Sequence, residues 1–269
     1  MDMIAFIGGG NMAAAIIGGL IKSGRAADSI IVVDPGDSQR AKLEADFGVR
    51  SFAAADAALR EAATIVWAVK PQFFQAAAAP CAAHVGGALQ LSVMAGIRSE
   101  GVAKATGAAR VVRAMPNTPA LIGQGIAGLF ARDAVTAADR AEVEAVLAPT
   151  GRLLWVAREA DLDAVTALSG SGPAYVFYFV EAMVQAAREM GLSDAQGNQL
   201  ALATFAGATA LAEASSEPPE LLRERVTSKG GTTHAALMSL EASGVKAAFV
   251  TAMKAAQQRA RELGNEFGG

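Results

Sequence analysis

The residues best suited to chemistry lie in a few short stretches of this 269-residue chain. Gly8-Gly9-Gly10-Asn11-Met12-Ala13 fits the pattern G-x-G-x-x-A, after an apolar run and before a helical one. In that setting Gly8 allows a tight turn, Gly10 lets backbone approach a pyrophosphate, and Ala13 keeps helix and strand close. Asn11 and Met12 open the helix, whose free N–H groups and positive dipole end face the phosphates. Asp34 ends the next apolar run, where a carboxylate bonds the ribose 2′-hydroxyl of NAD and repels the extra phosphate of NADP. Arg40 follows on a helix and reads either as an offset to that repulsion or as an ordinary solvated charge. Lys70-Pro71 closes a further strand at the end where sheet ligands bind. Pro71 fixes the turn, and Lys70 either meets ribose or phosphate or is a plain surface lysine.

Ser228-Lys229-Gly230-Gly231-Thr232-Thr233 precedes another helical run. Two glycines allow consecutive N–H groups to turn inward, the helix dipole favours an anion, and Ser228, Thr232 and Thr233 add hydroxyl donors. By itself the pattern fits a carboxylate cradle or a serine/threonine-capped loop. Met115-Pro116-Asn117-Thr118 follows a strand and reads as a rigid proline-bounded turn at the crevice side. Ser169-Gly170-Ser171-Gly172-Pro173 is a helix start. His234 beside Thr233 points elsewhere on the helix, His84 lies in an Ala/Gly-rich stretch, and Cys81 reads as a packing residue. The aromatic run of Tyr175, Phe177, Tyr178 and Phe179 reads as core or subunit interface.

One cysteine and two histidines exclude a disulfide framework and argue against a metal site. A net charge of −3 offers no basic surface for nucleic acid. The apolar N-terminus has Asp2, no basic segment and interrupting glycines, so it does not read as a signal peptide. No stretch offers about 20 uninterrupted apolar residues, so a soluble, membrane-free, cytoplasmic protein is expected.

Short β-branched runs at 3–7, 30–33, 64–68, 89–94 and 110–114 read as strands, with helices at 11–23 and 40–47. Continuous apolar strands between helices argue for a parallel sheet covered on both faces. Segments 125–130 and 153–156 flank a helix at 137–147. From residue 161 the pattern is helical, at 173–190, 193–214, 219–226 and 232 to about 263. The fold expected is α/β, a Rossmann-type doubly wound domain over 1–158 followed by an all-α dimerisation domain over 159–269.

Arg113-Ala-Met-Pro-Asn-Thr-Pro119, Thr166-Ala-Leu-Ser-Gly-Ser-Gly-Pro-Ala-Tyr175 and Val226-Thr-Ser-Lys-Gly-Gly-Thr-Thr233 decide between the remaining readings. With the GGGNM loop and the C-terminal Leu240-Glu241…Gly244 and Arg261-Glu262-Leu263, they closely resemble the pyrroline-5-carboxylate reductase family along essentially the whole chain. The resemblance implies reduction of Δ1-pyrroline-5-carboxylate to L-proline with NADPH or NADH, and a helical domain interlocking a homodimer, with rings of dimers in some members. It places Thr233 near the ring nitrogen as the catalytic hydroxyl with Ser228 beside it, and Gly230, Gly231, Thr232 and Asn117 around the substrate. It also places Met115 by the nicotinamide. Asp34-Pro35 departs from the Asn/Ser-Arg type of sequence of NADPH-preferring members, which leaves both cofactors open, and Lys229 stands where many members have proline. Competing readings are another Rossmann imine or hydroxyacid reductase, and a non-catalytic nicotinamide binder.

Overall fold

A computed structural model describes residues 2–267. Eight strands form one sheet: β1 Met3–Ile7, β2 Ile30–Val33, β3 Arg50–Phe52, β4 Ala62–Trp67, β5 Leu89–Ser92, β6 Val111–Met115, β7 Gly125–Ala131 and β8 Gly151–Trp155. Their order is β3-β2-β1-β4-β5-β6-β7-β8. The first six positions follow the doubly wound 3-2-1-4-5-6 order, with a switch point between β1 and β4. Around them lie α1 Asn11–Lys22, α2 Asp37–Phe47, α3 Phe74–Val85, α4 Ser99–Thr106 and α5 Ala137–Leu147. The central strands are apolar at successive positions because both faces are covered. Ile4, Phe6, Val32 and Val66 join one core with α1 and α5, while Ala5, Ile7, Ile31, Ile65 and Trp67 join the other with α3 and α4.

The sheet is not parallel throughout, as the apolar runs had suggested. β7 runs antiparallel to β6. Only residues 116–124 connect them, with a 3-10 turn at Thr118–Ile122, and a parallel return needs a crossover of a dozen residues or more. Among the elements not anticipated are β3 and α4. β3 is a three-residue edge strand too short for a pattern. α4 has no side-chain cap of its own, and its first N–H, from Ser99, is met by Glu159, 60 residues away.

By internal contacts the chain forms two compact units, 1–171 with 255–269, and 172–254. The expected boundary at 158 differs because α6 (Asp161–Val165) and a π turn at Thr166–Gly170 pack on the sheet unit. The second unit holds α7 Gly172–Glu189, α8 Asp194–Ala214, α9 Pro219–Arg225, α10 Thr232–Ala242 and the start of α11, Val245–Phe267. α7 and α8 form a hairpin. Ser193 and Gln196 close a capping box at its turn, and Gly197 lets α8 come so close that an added Cβ would lie 2.8 Å from Ala187 Cβ. The single helical run expected from residue 232 is two helices, broken at Ser243-Gly244, where Gly244 takes a φ of +67°.

Candidate active site

The glycine loop leaves β1 at the switch point. Gly8 turns with a φ of +94°, and an added Cβ would lie 2.8 Å from the Ala68 carbonyl oxygen, so only glycine fits. Its N–H bonds the Val33 carbonyl at 2.8 Å, fastening the loop to β2. Gly10 caps α1 without any side-chain hydrogen bond and has open space where a Cβ would be. The first turn of α1 holds no acidic residue. This is a helix end with donors turned out and nothing in the way, which suits a pyrophosphate. Ala13 is fully buried between helix and sheet.

A cleft of about 540 Å³ opens here, bounded by Gly8, Gly10, Asp34, Lys70, Phe73 and Ala54 among others. Of the residues singled out from sequence, it gathers Gly8, Gly10, Asp34, Lys70 and Cys81. Asn11, Met12, Pro71 and Met115 lie outside its lining. Asp34 is tied into the fold at both carboxylate oxygens. One carboxylate oxygen accepts from Gly9 N–H and the other from Gly36 N–H, both at 2.8 Å. Each oxygen keeps a second lone-pair direction for a ribose hydroxyl. Gln39 Nε2 donates to the Gly9 carbonyl, completing the brace. Arg40 donates to the Asp34 backbone carbonyl at 2.8 Å and pairs with the Asp37 carboxylate, so it is a bonded side chain and not an idle surface charge. Cys81 lines the far wall, buried, its thiol pushed up to about 11 by desolvation.

The candidate anion cradle forms in the second unit. Residues 228–231 make a tight turn in which Gly231 N–H donates to the Ser228 carbonyl at 3.0 Å, with Gly230 at a φ of +76°. Gly231 N–H is therefore used inside the turn and is not a donor for a ligand, contrary to the sequence reading of two inward N–H groups. The remaining donors are the first turn of α10, which has no side-chain cap, and the exposed side chains of Ser228, Thr232 and Thr233. At the end of β6, Asn117 Oδ1 accepts from Ile126 N–H at 3.0 Å, so its amide NH₂ is the end that can donate outward. Met115 packs instead against Gly170 of the π turn, where an added Cβ would lie 2.7 Å from Met115 Cε. His84 Nδ1 accepts from Arg60 Nε at 3.2 Å, a structural contact.

Sequence reasoning missed the charges buried behind this strand end. Arg113 on β6 is 4% exposed and pairs with Glu159 at 2.8 Å. Arg98 forms a two-point pair with the buried Asp163. A signal was available: an arginine inside the strand Val-Val-Arg-Ala-Met requires a buried partner.

The family profile for pyrroline-5-carboxylate reductase dimerisation matches residues 159–263, and that for NADP oxidoreductase, coenzyme F420-dependent, matches residues 3–96. The Pseudomonas aeruginosa pyrroline-5-carboxylate reductase is 43% identical over 267 residues, covering 98% of each chain. The chain belongs to the pyrroline-5-carboxylate reductase family. Among solved reductases, that of Coxiella burnetii is 34% identical with a TM-score of 0.89, covering 97% of this chain and 98% of that one. The Plasmodium falciparum pyrroline carboxylate reductase, solved with NADP bound, is 26% identical with a TM-score of 0.87, covering 98% of both. The match over 3–96 falls on the sheet unit, and that over 159–263 includes the whole of the helical unit.

Proposed function

We infer that this protein reduces Δ1-pyrroline-5-carboxylate to L-proline, the closing step of proline synthesis, with NADH or NADPH. The observation that carries the inference is 43% identity to a reductase of that name along 98% of both chains. The cofactor residues present fit a dinucleotide: an uncapped helix end, a glycine loop a Cβ would fill, and a carboxylate at the ribose position. Gly8, Gly10 and the start of α1 hold the pyrophosphate, Asp34 the ribose, and Lys70 the exposed flank. The bound nicotinamide supplies a hydride for the imine carbon. The first turn of α10, with Ser228 and Thr232, receives the substrate carboxylate. Thr233 bonds the ring nitrogen as the C=N double bond becomes single, and the proton that nitrogen gains comes from solvent or from a substrate already protonated, since a lone hydroxyl is a weak acid.

Asp34 favours NADH. Its charge is fixed in the cleft by two N–H groups and repels a 2′-phosphate, while Arg40 is already matched by Asp37. The protein works as a homodimer, in keeping with the match to a dimerisation family and with Val176, Phe177, Tyr178 and Met190 standing exposed on α7 and just past its end. Rings of dimers are a further level of assembly open to it. We place it in the cytoplasm; among the described residues no helix is long and apolar enough to cross a membrane.

The purified protein is to be mixed with Δ1-pyrroline-5-carboxylate and NADH or NADPH while reduced-nicotinamide absorbance and proline are followed. Proline formed in step with cofactor oxidation is the expected result. A folded dimer that makes none with either cofactor would overturn the assignment.

A further inference from the structure

We propose that residues 159–170 act as a clasp that positions the end of β6, with Glu159 and Gly170 as positioning residues for the reaction. The clasp touches β6 twice on one face. Arg113 and Met115 are two apart on the strand and so point to the same side. Glu159 takes Arg113 at 2.8 Å, and eleven residues later Gly170 receives the Met115 methyl. Between these points Val165 enters the space above Gly128, where an added Cβ would lie 2.7 Å from Val165 Cγ1. Gly128 is the cross-strand partner of Met115, so Val165 and Gly170 cover adjacent positions of one β6–β7 pair.

The segment is itself held from the other side. Glu159 also accepts from Ser99 N–H at 2.7 Å and Ser99 Oγ at 2.6 Å. Asp163 grips Arg98 at two points, and Arg98 lies under Gly264 of α11, where an added Cβ would come within 2.6 Å of the guanidinium. Four buried or half-buried charges meet on this segment, and burying them is costly unless their geometry is fixed. The geometry fixed here is that of the π turn over Met115; such turns recur at functional sites. Met115 ends β6 at the carboxyl edge of the parallel strands, the edge from which the glycine loop leaves β1 and at which doubly wound sheets bind ligands. None of these residues lines the cleft at the glycine loop, so cofactor affinity is the quantity expected to hold. The role in catalysis rests on the proposed reductase activity; the clasp itself does not.

Glu159→Gln, Asp163→Asn and Gly170→Ala test it in the full-length protein, with methyl-¹³C methionine labelling and the Met115 signal assigned through Met115→Leu. In Glu159→Gln the Met115 methyl resonance is expected to shift or broaden. kcat/KM for the imine should fall by about tenfold or more, the scale of a displaced reacting group, while the cofactor Kd stays within about twofold. Gly170→Ala, which leaves every charge in place, should do the same and stands in should Glu159→Gln fail to fold. A Met115 resonance unmoved in folded variants overturns the clasp. So does a wild-type kcat/KM with the resonance moved, or a loss that falls equally on cofactor binding. A wild-type protein inactive on the imine would sink the functional reading instead, and the methyl resonance would then decide the clasp by itself.

Discussion

Asp34 braces the glycine loop and, in the function proposed, also meets the cofactor ribose. Its carboxylate ties the glycine loop to the turn after β2 through Gly9 and Gly36, and the same rigidity fixes a negative charge in the cofactor cleft. Asp34→Ser is therefore expected to raise the NADPH-to-NADH ratio of kcat/KM by about tenfold or more, since a nearby like charge is removed. Some loss of affinity for both cofactors should accompany it as the brace loosens. Steady-state kinetics with both cofactors check this, and an unchanged ratio would remove Asp34 from the ribose site. Thr233→Val keeps shape and deletes the hydroxyl. It should lower kcat/KM for the imine with cofactor Kd and dimer intact; wild-type kinetics would remove Thr233 from the site. Cys81 is buried and its thiol raised to about 11, so the native protein should resist a thiol reagent at pH 8, with labelling appearing only on unfolding.

At the scale of elements, β6 and the segment after β8 are joined by charge. Burial alone would raise the carboxyl of Glu159, but the Ser99 hydroxyl and N–H, with Arg113, outweigh it and hold it below its ordinary 4.5. A value lower in the fold than in the unfolded chain means that this stabilisation is complete above pH 4.5 and is lost as acid titrates Glu159 in the native state. Thermal unfolding should accordingly lose ground below about pH 4.5, and Glu159→Gln, less stable at neutral pH, should show a shallower acid decline. An identical acid profile in the two proteins would show that Glu159 titrates normally. Gly8 makes the complementary backbone case. A methyl there strikes the Ala68 carbonyl and a left-handed φ must be held, so Gly8→Ala should abolish cofactor binding in titration calorimetry.

At the scale of the molecule, the helical unit leaves many large apolar side chains uncovered. Phe177 is 59% and Tyr178 69% exposed, whereas Tyr175 and Phe179 are half-buried and pack on Phe249, with ring centroids 5.9 and 5.6 Å away. Large apolar side chains exposed in this number are what a partner would cover, as the proposed homodimer requires. Sedimentation should give twice the chain mass or a multiple of it. Phe177→Glu with Tyr178→Glu should shift that mass toward the single chain and lower activity. A single-chain mass for the unmodified protein would overturn the homodimer.

The sequence by itself determined what depends on neighbours along the chain. β1 and β2 begin and end where the apolar runs do, α5 spans 137–147, and Gly8 and Ala13 serve the turn and packing that their spacing implies. These are local demands of φ, hydrophobic period and steric room. Tertiary structure alone decided whatever depends on a partner distant in sequence: that β7 turns antiparallel, that α4 starts under Glu159, and that a buried Arg113 is matched 46 residues later. It also decided that Met115 lies beneath Gly170 and that the Gly231 N–H is used within its own turn. A buried charge or a close-packed methyl is stable only against one specific partner, and that partner is chosen by the fold.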